Sequence, residues 1–415
     1  MPYLPRLLTP SIEHALQAFP CVFINGPRQS GKTTLAKRIW NGNNVSYVNF
    51  DDIAALTIAN TSPETFLSGY TNRLILDEIQ LVPALYRALK ASIDEQRETT
   101  QDHRLAGIYI LTGSTNILAL PKLADALVGR MIIKTLYPFS AAEVQGGKGD
   151  FITRLKLGQW TGGMVSQFDL IDTLQTATFP EIRTVGEATR ADWLQSYLST
   201  LIQRDVQQIM DIEKSTLLPQ LLRLLATRAG SILNEADLAR GVKENAVTTK
   251  RYRTILDLLF LTLTVPPWFR NLGKRLIKSP KIFLMDTNML AHLLGRTLKD
   301  IEQSDPGLLG HVLENFVATE LIKQIAQPIH QAGLYYFRTA DGREVDFVIE
   351  FPDQQIVGIE VKAAETLTSQ DWAGLQELQN LAGRDFAQGC ILYRGRQILK
   401  ISDKIWALPL SVLWQ

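Results

Sequence analysis

One decapeptide restricts the fold more than any other feature of the chain. Asn25–Thr34 reads NGPRQSGKTT, and Gly26-x-x-x-x-Gly31-Lys32-Thr33 fits the phosphate-loop pattern G-x-x-x-x-G-K-[ST] in full. Its glycines let successive backbone N–H groups turn inward around phosphate oxygens, at the N-terminus of a helix whose partial positive charge adds to the attraction. The neighbouring sequence supplies the two elements such a loop must join: the apolar CVFI before it and TTLAKRIW after it. Gly26, Pro27, Arg28, Gln29, Ser30, Gly31, Lys32, Thr33 and Thr34 are therefore the candidate nucleotide-contacting positions. Lys32 suits the β- and γ-phosphates of ATP, and the Thr33 hydroxyl suits Mg2+.

Downstream, short apolar runs alternate with helix-length stretches. VSYVNF runs into Asp51-Asp52, RLILDE ends on Asp77-Glu78, and GIYILTGS ends on Ser114. Buried strands separated by helices predict a parallel sheet with crossover connections. Asp77, closing its strand, is a candidate Mg2+ residue. Glu78 beside it is the candidate general base that polarises an attacking water. Ser114 is the candidate sensor of the γ-phosphate.

Composition sets outer limits. At roughly 100–200 residues per domain, 415 residues make two to four domains, and the 46% hydrophobic and 20% charged content suits a soluble protein with a full core. The net charge of +1 advertises no polyanionic partner, so any nucleic-acid surface has to come from local clustering. Cys21 and Cys390 are far apart and in no metal-like spacing, which fits a reducing compartment. MPYLPRLLTPSIEHALQAFP lacks the pattern of a signal peptide. Leu258–Phe269 is too short to span a bilayer and is broken by Pro266 and Pro267. The expectation is a cytoplasmic protein with no membrane partner.

The order of phosphate loop, LDE strand, LTGS strand and LVGRM resembles AAA+ ATPases of the STAND or archaeal-ATPase-like type. That resemblance implies ATP hydrolysis and a homo-oligomer, of which a hexamer is one form. It also makes Arg130 a candidate catalytic arginine and Arg204, in LIQRD, a weaker one.

From Asp169 to about Ser279 the chain reads as mostly helical. Leu233–Leu259 predicts two helices joined by a tight turn, with Asn234 and Thr248 or Thr249 as N-caps. This pair looks like a winged helix-turn-helix, with Thr248, Thr249, Lys250, Arg251 and Arg253 opening the second helix. RNLGKRLIKSPK (Arg270–Lys281) carries five basic residues and no acid, which suits a wing over DNA phosphates. Winged helices also serve as protein-binding modules, so the same pattern leaves a protein partner open.

The last hundred residues add a second constellation. Asp346 is followed after thirteen residues by Glu360-Val361-Lys362. Residues two apart on a strand share a face, so Glu360 and Lys362 project together, and Asp346 joins them if the two strands pair. Two carboxylates at that spacing can hold Mg2+ or Mn2+, while a lysine beside them assists the water or the phosphate. This spacing is similar to the PD-(D/E)xK nuclease core, and Glu314 on the preceding helix resembles the additional acid of many such nucleases.

Together these features predict an α/β multidomain chain. Residues 1–160 form the P-loop AAA+ domain, 161–300 a helical region with the winged helix, and 301–415 a restriction-endonuclease-like α/β domain. The whole order resembles a prokaryotic family of ATPases with a C-terminal domain of unknown function. The resulting expectation is an ATP-dependent DNA-processing enzyme, with branched DNA among its candidate substrates. Its alternative is a nucleotide-gated regulatory scaffold whose nuclease-like domain is inactive and binds DNA or a protein.

Overall fold

Five apolar runs in the first 135 residues become parallel strands. They are β1 (Cys21–Asn25), β2 (Val45–Asn49), β3 (Arg73–Asp77), β4 (Tyr109–Gly113) and β5 (Met131–Thr135), in sheet order β2-β3-β4-β1-β5. β1 and β4 are buried along their whole length, as strands covered on both faces must be. Successive residues divide between the faces. Phe23, Leu74, Leu76 and Leu111 pack on one side with Leu85 and Leu89. Val22, Ile24, Ile75 and Ile110 pack on the other with Ile12, Leu35 and Ala36. The helices that matter here are α1 (Lys32–Ile39), directly after the phosphate loop, and α2 (Leu85–Thr100).

This computed structural model describes residues 3–42, 44–101, 105–114, 116, 121–209, 217–271, 273, 275, 278–327 and 331–415. The chain divides into two compact units: Met1–Pro138 with Leu258–Phe260, and Phe139–Asp257 with Leu261–Gln415. Residues 161–300 and 301–415 thus fall almost entirely within one unit.

In the second unit, α3 (Glu235–Val242) and α4 (Ala246–Leu258) form the expected helix pair. Asn234 caps α3, its side chain accepting from the N–H groups of Ala236 and Asp237. The second cap is not Thr248 or Thr249. Asn245 accepts from the N–H of Thr248 at 2.8 Å, so the helix starts earlier than the threonines suggest, and Thr249 is buried. An antiparallel hairpin follows, β7 (Thr262–Val265) with β8 (Lys281–Leu284).

Next come α5 (Pro306–Ile325), β9 (Gly333–Arg338), β10 (Glu344–Glu350), β11 (Ile356–Lys362), α6 (Ala373–Ala382), β12 (Phe386–Tyr393), β13 (Gln397–Lys400) and β14 (Ile405–Pro409). With β6 (Gly163–Met164) they build a mixed sheet in the order β6-β13-β14-β12-β11-β10-β9. β9, β10 and β11 are antiparallel neighbours, whereas β11, β12 and β14 run parallel. The free edge of β9 is covered from within the unit. Trp268 N–H donates to Tyr336 O at 2.6 Å, and Tyr336 N–H donates to Pro266 O at 3.0 Å.

Gly26 shows how tightly the phosphate loop is held. Its φ of 144° lies where other residues are strained, and a Cβ there would come 2.2 Å from the carbonyl oxygen of Leu136. Gly26→Ala should destabilise the first unit by at least about 2 kcal/mol, the scale of one strained backbone position plus a clash. Chemical denaturation of the two proteins, followed by circular dichroism, checks this.

Candidate functional site

Parallel strands place their C-terminal ends on one edge of the sheet, where open α/β folds bind ligands. Here that edge gathers the phosphate loop after β1, Asp77 and Glu78 after β3, and Ser114 after β4. Thr33 Oγ1 donates to Asp77 Oδ2 at 2.8 Å, so the hydroxyl and carboxylate expected to share Mg2+ already touch. Tyr47 donates to the same oxygen at 2.8 Å, and Thr112 donates to Oδ1. Lys32 is buried and folds back on its own loop, donating to the carbonyls of Gly26 (3.0 Å) and Pro27 (2.8 Å).

Glu78 has left-handed backbone angles (φ 57°, ψ 45°), a conformation that costs a non-glycine residue energy and that clusters at functional positions. Its carboxylate accepts from Ser114 Oγ at 3.2 Å and from the amide of Gln80. Gly113 makes room for that amide, because a Cβ there would lie 2.8 Å from Gln80 Oε1. Two further supports were not among the expected residues. The guanidinium of Arg6 donates to Ser30 O (2.8 Å) and Tyr137 O (2.6 Å), bracing the loop. Tyr47 bonds Asp77 while Lys37 stacks 3.5 Å from its ring centroid. Nothing in the spacing marks Arg6. Tyr47 and Gln80 sit near the motifs without belonging to them.

The remaining oxygen donors fit a magnesium–nucleotide pair. Thr33 and Asp77 are hard oxygen ligands, and the glycine turn aims N–H groups at an anion. Arg130 is engaged elsewhere, in a two-pronged pair with Asp94 on α2 at 2.7 and 2.8 Å. That contact holds the Asp94 carboxyl below its ordinary range. The side chain of Arg204 lies outside the described residues. Arg28, Gln29 and Thr34 lie on the accessible side of the loop, with Gln29 at φ 64°.

In the second unit, the residues expected on α5, β10 and β11 come together. Asp346 Oδ2 accepts from Val361 N–H at 2.9 Å, and Lys362 Nζ lies 2.8 Å from Glu360 Oε1. Glu314 joins them through a residue not expected there: Lys281, whose Nζ lies 2.8 Å from Glu314, 2.5 Å from Glu344 and 3.4 Å from Asp346. Lys281 is 1% exposed. Burial pushes Glu314 and Glu360 up to about 8, the nearby Asp346 charge adding to the effect in both. For Lys281, burial alone would lower the value, but Asp346, Glu314 and Glu344 outweigh it and raise it.

This cluster does not fit a divalent metal in the arrangement described. The oxygens that Mg2+ or Mn2+ needs are turned to an ammonium group and to protein N–H donors. Among the described residues, no group of three or more His, Cys, Asp or Glu side chains is arranged to hold a metal.

The basic run is spent in the same manner. Arg275 pairs with Glu350 at 2.5 and 2.8 Å, Arg270 with Asp385 at 2.8 Å, and Lys281 with the cluster. Lys278 is exposed, and Lys274 lies outside the described residues. On α4, Arg253 is buried between Glu235 and Asp257 (3.1 and 3.0 Å), leaving Lys250 and Arg251 on the exposed face. The wing expected to meet phosphate thus turns two of its four described basic residues, Arg275 and Lys281, inward and leaves Arg270 and Lys278 exposed.

Comparison with known proteins agrees with the first of these sites. Residues 18–145 match a AAA domain, 167–300 a domain of unknown function (DUF8612), and 309–413 a second domain of unknown function (DUF4143). With its phosphate loop and parallel sheet, the first unit is a AAA-type P-loop ATPase module. Two relatives, uncharacterized proteins of Mycobacterium tuberculosis and Mycobacterium bovis, are each 28% identical over 403 residues. The match covers 96% of this chain and 82% of theirs.

Among solved structures, a Walker-type ATPase of Pyrococcus abyssi is similar at 12% identity and a TM-score of 0.41, over 69% of this chain and 94% of that one. The RuvB Holliday junction branch migration motor of Thermotoga maritima is similar at 14% identity and 0.30, over 63% and 90%. Among the described residues, no helix is long and apolar enough to cross a membrane.

The raised carboxyls give the second unit a pH dependence. Between the ordinary value of 4.5 and about 8, the folded protein holds protons on Glu314 and Glu360 that the unfolded chain has released. Their stabilisation is complete below that window and is lost as the pH rises through about 8. Urea midpoints measured from pH 5 to 9 should therefore fall with rising pH, and less steeply in Glu314→Gln/Glu360→Gln.

Proposed function

We propose that this chain is an ATP-driven switch. Its first unit binds and hydrolyses MgATP, and its second unit acts as a binding module for a macromolecular partner. The observation that carries the ATP reading is the convergence of Thr33, Asp77, Glu78 and Ser114 on one sheet edge beside the phosphate loop. MgATP, when bound, supplies the phosphoryl group and the charge balance around it. Thr33 and Asp77 would hold the ion, and Lys32 would release its loop carbonyls to meet phosphate oxygens.

Glu78 is the group positioned to take a proton from water. Ser114 and Gln80 steady its carboxylate, and that contact makes Ser114 a relay between nucleotide and base. Arg130 serves a neighbouring subunit in this reading only if it leaves Asp94, so oligomerisation and Arg130 release belong together. The binding-module assignment rests on the inward-turned charge of Arg275 and Lys281 and on the metal-averse cluster. Protein partners fit these features better than duplex DNA does.

Glu78→Gln should lower ATP turnover by about 100-fold or more, the usual worth of a general base, while nucleotide affinity stays within a few-fold. Phosphate release and fluorescent-nucleotide titration measure the two quantities. Unchanged turnover would remove Glu78 from the reaction.

A second reading keeps DNA cleavage. It is favoured by the order of α5, three antiparallel strands, α6 and β12, which brings Glu314, Asp346, Glu360 and Lys362 together. Incubating linear, branched and single-stranded DNA with Mg2+ or Mn2+ discriminates between the two. Cleavage by the unaltered protein that Lys362→Ala abolishes would establish the second reading and end the first one's account of the output.

A further inference from the structure

The carboxylates of Glu314, Glu344 and Asp346 already have a cation, and it is part of the chain. Lys281 arrives on β8, two residues after Ser279, whose carbonyl is fixed by the Tyr336 hydroxyl at 2.7 Å. The Tyr336 ring stands 5.8 Å from the ammonium, and Arg338 approaches the outer oxygen of Glu344 at 3.5 Å. An ammonium has three donors and no acceptor, and the three carboxylates supply three acceptors.

The strand is firmly held. Asn315 of α5 donates to Leu284 O at 3.1 Å and accepts from Leu284 N–H at 2.7 Å, pairing with β8 as another strand would. Ile282 is bonded along the same edge, accepting from Gly230 N–H (2.8 Å) and donating to Ser231 O (3.2 Å), while β7 pairs along the opposite edge. Gly230 in turn allows the Glu314 carboxylate to lie close, because a Cβ there would be 2.8 Å from Glu314 Oε2.

The opposite side of the cluster is closed by similar means. Val361 N–H takes Asp346 Oδ2, and Lys362 takes Glu360 Oε1. A divalent ion at this place would need the same oxygens, stripped of their protein donors, and the volume that the Lys281 ammonium fills. With Lys281 buried and β8 tied on both edges, the side chain has no other place to put its charge.

We propose that Lys281 is the resident cation of this cluster, a tethered substitute for a divalent metal that closes the site to Mg2+ and Mn2+. The consequence is specific to one residue. Removing the ammonium while keeping the stem, as in Lys281→Met, leaves Glu344 and Asp346 on β10 without a counter-charge, with the Glu314 carboxyl oxygens beside them, and that is the environment a hard divalent ion satisfies. The proposal concerns the second unit alone and stands whether or not the ATP reading does.

The test is Mn2+ binding to the full chain without nucleotide, followed by the electron-spin signal of free Mn2+. Wild type, Asp346→Asn, Lys281→Met and the Lys281→Met/Asp346→Asn double variant are compared. Wild type and Asp346→Asn should bind Mn2+ alike. Lys281→Met should gain one site at least tenfold tighter than any in the wild type, and the double variant should lose it.

Wild-type Mn2+ binding that Asp346→Asn weakens tenfold would overturn the proposal. A folded Lys281→Met that gains no site would overturn it too. If circular dichroism shows Lys281→Met to be unfolded, the comparison of wild type with Asp346→Asn decides alone: equal binding sustains the closed site, and unequal binding refutes it.

Discussion

A lysine ammonium removed from water costs several kcal/mol unless it is met by opposite charge and hydrogen-bond acceptors. Lys281 obeys that rule by drawing acids from an interior helix and from β10 onto a strand of the preceding hairpin. Three segments far apart in the chain are therefore fixed to one point. Breaking such a buried set by removing one partner costs about 3–5 kcal/mol, because the partners left behind become the unpaired charges. The pairing of Arg275 with Glu350, alongside the bond from Trp268 to the same carboxylate, extends the principle to the loop between β7 and β8. The hairpin belongs to the C-terminal sheet by charge as well as by backbone.

The first unit is organised by a different constraint. There the backbone does the work: a glycine that only Gly can occupy, a left-handed glutamate, and strand ends aligned by parallel pairing. Asp77 has neither oxygen idle, since Thr33, Tyr47 and Thr112 all donate to it. On the proposed function, nucleotide binding would exchange hydrogen bonds already present rather than fill open positions. Lys32 shows the same economy, its ammonium resting on the loop carbonyls of Gly26 and Pro27.

The sequence reveals the first unit well because its chemistry is local. The loop is contiguous, Asp77 and Glu78 end one strand, and Ser114 ends another, so strand order alone brings them together. Its supports escape such a reading. Arg6 reaches Ser30 from an irregular segment ahead of the first helix, and no spacing rule links that segment to the loop. In the second unit, Asp346, Glu360 and Lys362 are legible because a hairpin and a period of two fix their faces. Lys281 is not, because a basic residue in a basic run looks like a solvated surface. Its burial depends on α5, and α5 begins some twenty-five residues later. Thr248 and Thr249 mislead for a smaller reason: Asn245 is the better cap, and it starts the helix first.

The bond between Asn315 and β8 has a bearing on how this chain can be divided. The sequence similarity of the C-terminal domain begins at residue 309, inside α5. A fragment cut there would carry a fully buried amide whose partner strand had been left behind, together with carboxylates stripped of their only buried ammonium among the described residues. Shared ancestry and physical self-sufficiency therefore draw different lines across this molecule. The smallest stretch able to stand alone must reach back at least through β7, so the helix pair's hairpin and the C-terminal sheet have to be inherited, exchanged or lost together.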